Sequence, residues 1–286
     1  MTSKLSNEQV EYYRENGYLT SLDVFDESET DDLLDKYNRI EELMPEGRNS
    51  GEVVNWHKFD KTIFDICCDK RILDIVEQII GPNIIIWGSQ LIAKPPLSKV
   101  NVDWHQDSFY WPLKPMTAVT VWIAMIDSTE EVGCMQVVPK THKDGLLKHH
   151  YAPSIIEPNM EIKQGGGLYL ELDKNEYDIE KAIPIELKAG QISLHHADTV
   201  HGSDPNISKD KKRVGLIARF SPPDIKCDLT IWQKYHQILV RGVDNYKYNP
   251  TINQPTNNLN NFIETLPLTT QIARDRQLNQ NKAFLQ

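Results

Sequence analysis

The sequence predicts a mainly β fold, a sandwich or barrel with helices packed against its outside. Three observations carry that expectation. Strand-like segments follow one another at short spacing after Gly81, turn residues separate them, and the helical patterns come before them in the chain.

Two helices open the chain. In "SNEQVEYYRENGYL", Ser6 stands three residues before Gln9, the pattern of a capping box, Val10 and Tyr13 supply an apolar stripe, and Gly17 is a stop. "DESETDDLLDKYNRIEELMP" is acidic in its first turn, where a helix N-terminus favours negative charge, and Pro45 closes it. A third helix is predicted through "DKRILDIVEQIIG", so residues 1–80 are expected to be mostly helical. Strands are then predicted at "NIIIWGSQLIAK", "VDWHQDS", "TAVTVWIAMID", "MQVVP", "QISLHH", "TVHGS" and "RVGLIARFS", a core spanning 81–225. Between 141 and 182 the pattern is irregular around Gly165, Gly166 and Gly167, and reads either as a lid inserted over a site or as a disordered insertion. The stretch 226–286 is rich in Asn, Gln and Thr towards its end and is expected as a helical or irregular appendage, the whole of 1–286 forming one domain.

Composition narrows the partners. With 40% hydrophobic and 25% charged residues, the chain has an ordinary soluble mix. A formal charge of −10 is a poor match for a phosphate backbone, so no nucleic-acid partner is expected, and "SKDKKR" reads as a solvated turn. No apolar run approaches the roughly 20 residues of a membrane span. Cys67, Cys68, Cys134 and Cys227 show no CxxC spacing, which argues against a zinc knuckle and for reduced thiols in a cytoplasmic protein.

The chemistry starts in "VDWHQDSFYWP". Side chains alternate along a strand, so His105 and Asp107 are expected to point the same way and Gln106 the opposite way. An imidazole and a carboxylate side by side grip a cation and leave most of its positions open. A second histidine from elsewhere would complete the two-histidine, one-carboxylate face of non-haem iron oxygenases. The downstream histidines are His142, His149, His150, His195, His196, His201 and His236. His201 stands out because Arg213 follows it by twelve residues at the head of an apolar strand, and a hairpin would bring the two together. A guanidinium there would anchor the carboxylate of a keto-acid co-substrate. Arg219 shares the strand parity of Arg213 and rivals it for that role. His195 and His196 are read as structural, one facing the core and one outward. Zinc-assisted hydrolysis stays open as an alternative that needs no Arg213.

"HQDSFYWPLKPMTAVTVWIAM", "GCMQVVPKTHK" and "HGSDPNISKDKKRVGLIARF" together resemble the phytanoyl-CoA dioxygenase family of iron(II)- and 2-oxoglutarate-dependent oxygenases. The resemblance implies a double-stranded β-helix, a cupin-like jelly roll. It implies His105, Asp107 and His201 as iron ligands, with Arg213, Ser203, Trp122 and Gln90 on 2-oxoglutarate. His57, in "NWHKF", is a further candidate contact. O2 would complete the co-substrates, with succinate and carbon dioxide released. Because Asp107 is present, hydroxylation of an aliphatic C–H is favoured over halogenation, and desaturation or cyclisation are other outcomes of the same chemistry. Phe109, Tyr110 and Trp111 are candidate substrate residues, either lining a pocket for a small cation or closing the barrel mouth. Small amines, quaternary ammonium compounds, aminophosphonates and amino-acid-like or natural-product intermediates are the candidate small-molecule substrates. A jelly-roll binding protein without turnover is the competing class.

Overall fold

A computed structural model describes residues 4–151 and 170–261. The helices are α1 (Asn7–Asn16), α2 (Glu27–Leu43), α3 (Lys61–Cys67) and α4 (Lys70–Ile80). The strands are β1 (Tyr18–Asp23), β2 (Ile84–Lys94), β3 (Val102–His105), β4 (Leu113–Lys114), β5 (Val119–Ala124), β6 (Met135–Val138) and β7 (His149–Tyr151). They continue with β8 (Leu170–Leu172), β9 (Ile183–Ile185), β10 (Gln191–His196), β11 (Val200–Ser203), β12 (Arg213–Ser221), β13 (Lys226–Cys227) and β14 (Ile238–Arg241).

The strands form a six-stranded sheet, in the order β1-β10-β5-β12-β2-β14, and a four-stranded sheet, β3-β11-β6-β9. Every pairing within them is antiparallel. This is the jelly roll. Its larger sheet is buried on both faces, which explains why its central strands read as nearly unbroken apolar runs. On β5, Val119, Val121 and Ile123 pack outward into the main core with Leu33, Ile40, Ile72 and Val76 of the helices. Trp122 and Ala124 face inward with Met135, Val137 and Ile217. Period-two alternation is thus present, but both faces are filled by apolar groups.

Local chemistry sets the helix ends. Ser6 and Gln9 form the expected capping box and Gly17 ends α1 in the left-handed conformation, with φ 82°. A second capping box, Asp26 with Glu29, starts α2. The strand β1 was not expected within 1–80; it follows Gly17 directly, and an irregularity between Leu19 and Leu22, with Ser21 at φ 57°, breaks its alternation. The helix α3 also escaped notice because seven residues fall below the length at which helical period is visible. Its cap, Asp60, is fully buried, accepts from Ile63 N at 3.0 Å and pairs with Lys36 at 2.6 Å.

Residues 226–261 are mostly irregular and add two short strands, β13 and β14, the second paired with β2 at the sheet edge; the rest of the expected appendage, 262–286, lies outside the described residues. The backbone of Leu259 donates to Asp60 at 2.9 Å, tying this segment to α3. Of the segment expected as a lid, 152–169 lies outside the described residues, including Gly165, Gly166 and Gly167; its two ends pair as β7 and β8. Among the described residues, no helix is long and apolar enough to cross a membrane.

One glycine is a packing requirement. A Cβ on Gly215 would lie 2.2 Å from Cζ2 of Trp122, so the indole occupies the space a side chain would need. Gly215→Ala is expected to destabilise the fold by about 1–3 kcal/mol through overpacking, read as a lowered midpoint in thermal melting. A midpoint equal to that of the parent would show that the indole is free to move.

Candidate metal centre

The three predicted ligands meet. His201 on β11 stands directly opposite His105 on β3 in the antiparallel register. The strand stops at His105, and Asp107 begins a 3-10 turn, Asp107–Tyr110, rather than continuing the strand. Gln106 between them is extended, at φ −110° and ψ 129°, so His105 and Asp107 still reach the same centre. One donor atom from each of His105, Asp107 and His201 lies within 4.8 Å of the others, and all three side chains are buried. Gln106 points away, as alternation predicts. Its amide donates to the Gly145 and Asp198 carbonyls, both at 2.8 Å, and accepts from Leu147 N.

Backbone carbonyls orient the rings. His105 Nδ1 lies 2.7 Å from the Asp103 carbonyl and His201 Nδ1 2.9 Å from that of Thr199. A carbonyl only accepts, so both Nδ1 atoms carry the proton and both Nε2 lone pairs are left for a metal. Thr120 donates its hydroxyl to Asp107 Oδ2 at 3.2 Å. Burial pushes the Asp107 carboxyl up, but His105 and His195, with Arg219 and His201 beyond, outweigh it and hold the group well below the usual carboxylate range. Burial, then the neighbouring His105 and His195, hold His201 well below an ordinary imidazole, so it is neutral. A deprotonated carboxylate and a neutral imidazole are what a divalent metal requires. The donor set therefore fits ferrous iron, with open positions left over.

One flank of the centre carries two buried cations. Arg213 and Lys94 stand opposite each other on β12 and β2, both 2% exposed. The Lys94 ammonium donates to Ser203 Oγ at 2.7 Å, and Arg213 Nη1 donates to the Gly133 carbonyl. The Arg213 guanidinium lies 5.7 Å from the centre of the Trp122 ring, and its Nε has no partner among the described residues. Neither cation pairs with a carboxylate among the described residues. Burial brings Arg213 down to about 10 and, helped by the Arg213 charge, Lys94 down to about 7. Arg213, Ser203 and Trp122 thus come together as expected, although not through a hairpin: β11 and β12 belong to different sheets, and Arg213 meets Ser203 across the barrel through Lys94. Gln90 lies on β2 opposite Ile217 and donates to the Gly51 carbonyl at 3.0 Å. Sequence reasoning missed Lys94 because a lysine before "PP" reads as an exposed turn residue.

The other flank holds His195, Arg219 and the aromatic residues. His195 Nε2 is 3.6 Å and Arg219 Nε 4.0 Å from Asp107 Oδ2. His195 is the inward member of its pair, as expected, but it lies against two ligands rather than in a remote core, its ring 4.5 Å from that of His201. The three aromatics after Asp107 diverge. Phe109 stacks on His149 at 4.2 Å, Tyr110 sets its ring 5.9 Å from His105, and Trp111 packs on Trp87 at 4.6 Å. His57 is fully buried against Ser89, with 2.7 Å between Nδ1 and Oγ.

The comparisons with known proteins agree with this architecture. The family model described as phytanoyl-CoA dioxygenase matches residues 13–214. Peroxisomal phytanoyl-CoA dioxygenase of Bos taurus is 28% identical over 230 residues, 72% of this chain and 65% of that protein, so the match spans less than two thirds of that relative's length. A probable alpha-ketoglutarate-dependent hypophosphite dioxygenase of Stutzerimonas stutzeri is 26% identical, over 82% of this chain and 86% of its own. Among solved structures, the apo form of the non-heme monooxygenase ThoJ superposes with a TM-score of 0.75 at 22% identity, covering 95% of this chain and 99% of ThoJ, which speaks to the fold. With the family model matching well over half of its residues, this chain belongs to the phytanoyl-CoA dioxygenase family.

Proposed function

We propose that this chain is an iron(II)- and 2-oxoglutarate-dependent dioxygenase that hydroxylates an aliphatic C–H bond of a small metabolite. The balance is 2-oxoglutarate, O2 and R–H giving succinate, carbon dioxide and R–OH. The observation that carries this reading is the pairing of a buried His105–Asp107–His201 donor set with a buried, carboxylate-free cation pair, Arg213 and Lys94. Zinc hydrolysis has no use for such a pair.

Ferrous iron, when bound, supplies the oxidising chemistry. The chain supplies placement. His105, Asp107 and His201 would hold the metal and leave adjacent positions for the co-substrate. Arg213 would take the distal carboxylate of 2-oxoglutarate, with the Ser203 hydroxyl held beside it by Lys94. Trp122 would form the wall along the co-substrate chain. No general base is required of the protein. Relatives named for a coenzyme A thioester and for hypophosphite differ in substrate, so family membership supports the reaction type and not the molecule oxidised.

The test is turnover. Protein reconstituted anaerobically with Fe(II), then given 2-oxoglutarate and air, is expected to form succinate slowly even without substrate. Tight binding of metal and 2-oxoglutarate with no succinate would instead support a silent binding protein. Absence of 2-oxoglutarate binding would overturn the proposal.

A further inference from the structure

Resting on that reading, we infer that the primary substrate is a small organic acid whose anionic head group is held by Arg219. The side chain is 15% exposed; its Nε is buried without a hydrogen bond, and the guanidinium makes no hydrogen bond to any described residue. Its carboxylate neighbour is Asp107, at 4.0 Å. Arg219 faces Oδ2 of Asp107, the oxygen that already accepts from Thr120, and a metal held through Oδ1 beside His105 Nε2 would draw charge from that contact and weaken the only carboxylate neighbour of Arg219 among the described residues. A largely enclosed guanidinium with unused donors is suited to an anion that supplies the missing hydrogen bonds.

Register places this anion apart from 2-oxoglutarate. Arg213 and Arg219 lie on the same inward face of β12, six residues and so roughly 20 Å of strand apart. Arg213 is opposite Lys94, and Arg219 is opposite Gly88 on one side and Thr120 on the other. Ser203 joins the Arg213 end through Lys94, whereas Thr120, bonded to Asp107, joins the Arg219 end. The metal ligands therefore lie between the two guanidinium groups, one on the co-substrate side and one beyond the metal.

The surroundings of Arg219 fit the organic part of such a ligand. Its guanidinium lies 5.3 Å from the centre of the Trp111 ring. Trp111 packs on Trp87, and Trp87 lies 6.0 Å from Trp232 and 6.5 Å from Tyr235. Within this wall the Trp87 Nε1 and the Tyr235 hydroxyl are buried without hydrogen-bond partners among the described residues. Trp111 already faces a cation of the chain itself, which disfavours a bare quaternary ammonium there. Gly88 is part of the design: a Cβ on it would come within 3.1 Å of Arg219 Cδ, so glycine leaves room for the arginine to lie flat across β2.

The experiment measures binding to protein loaded with Mn(II) and 2-oxoglutarate without oxygen, by calorimetry. The probes are butanoate, propylphosphonate, neutral butanamide and cationic butyltrimethylammonium. One or both anions are expected to bind at least tenfold more tightly than the amide and the ammonium compound, and the better anion identifies the head group as carboxylate or phosphonate. Arg219→Gln is expected to weaken anion binding at least tenfold while 2-oxoglutarate affinity stays within twofold. Arg219→Lys should recover part of the loss. Anion binding no tighter than amide binding in the parent protein would overturn the inference, as would a parallel loss of 2-oxoglutarate affinity in Arg219→Gln. If Arg219→Gln does not fold, the four-probe series on the parent protein decides. Failure of 2-oxoglutarate to bind at all would count against the dioxygenase reading instead, and the probe series on Mn(II) protein, compared between the parent, Arg219→Gln and Arg213→Gln, would still test Arg219: loss of anion binding in Arg213→Gln alone would overturn the inference.

Discussion

Replacing His201 by alanine is expected to remove both metal binding and succinate formation, leaving a folded jelly roll. His201 is one of two imidazoles whose Nε2 lone pairs are freed by backbone carbonyls at 2.7 and 2.9 Å. Loss of a supporting partner around a metal typically costs 10–100-fold in affinity, so loss of a ligand itself should exceed roughly 100-fold. The readout is Fe(II) or Mn(II) titration of the purified protein, with circular dichroism as the control for folding. His195→Phe makes the comparison informative. His195 is as buried as His201 and lies 3.6 Å from Asp107, but the donor set closes without it. It should keep metal binding within about tenfold, as expected of a supporting group. Equal losses in both variants would mean that the donor set is not the one assigned.

That contrast shows what the sequence could reveal. His-x-Asp supplied two ligands because a single extended residue, Gln106, keeps them on one side even though the strand ends at His105. His201 was legible from its place ahead of Arg213, and the register that sets it opposite His105 followed. The strand β1 was hidden because an irregularity between Leu19 and Leu22 breaks its alternation, and helix α3 because seven residues give only about two turns. The route from His201 to Arg213 was misjudged because spacing cannot distinguish a hairpin from a crossing between two sheets. Lys94, Trp87 and Tyr235 were missed for a different reason. Their roles depend on long-range pairing, through Lys94 opposite Arg213 and Trp87 against residues more than a hundred positions away, and no local pattern encodes it.

Arg213→Ala is expected to raise the 2-oxoglutarate requirement by roughly 100-fold while metal affinity is retained. Truncating one partner of a buried charge pair costs about 2–5 kcal/mol, and 2.7 kcal/mol is about a hundredfold. Steady-state kinetics with 2-oxoglutarate as the varied substrate measure it, and an unchanged KM would remove Arg213 from the co-substrate site. Lys94 adds a pH signature to the same site. Burial, and next the charge of Arg213, bring Lys94 down to about 7 in the free protein. A carboxylate arriving beside it favours the protonated form. Below pH 7 that form is already present; above it, binding must also recruit a proton. 2-Oxoglutarate affinity should therefore be greatest near and below pH 7 and fall as pH rises past it, with proton uptake on binding. In Lys94→Met this pH dependence should disappear, and the affinity should be lower because Ser203 loses the ammonium that positions its hydroxyl. Calorimetry in buffers of different ionisation enthalpy separates the two effects. Retention of the same pH slope in Lys94→Met would assign the titration to another group.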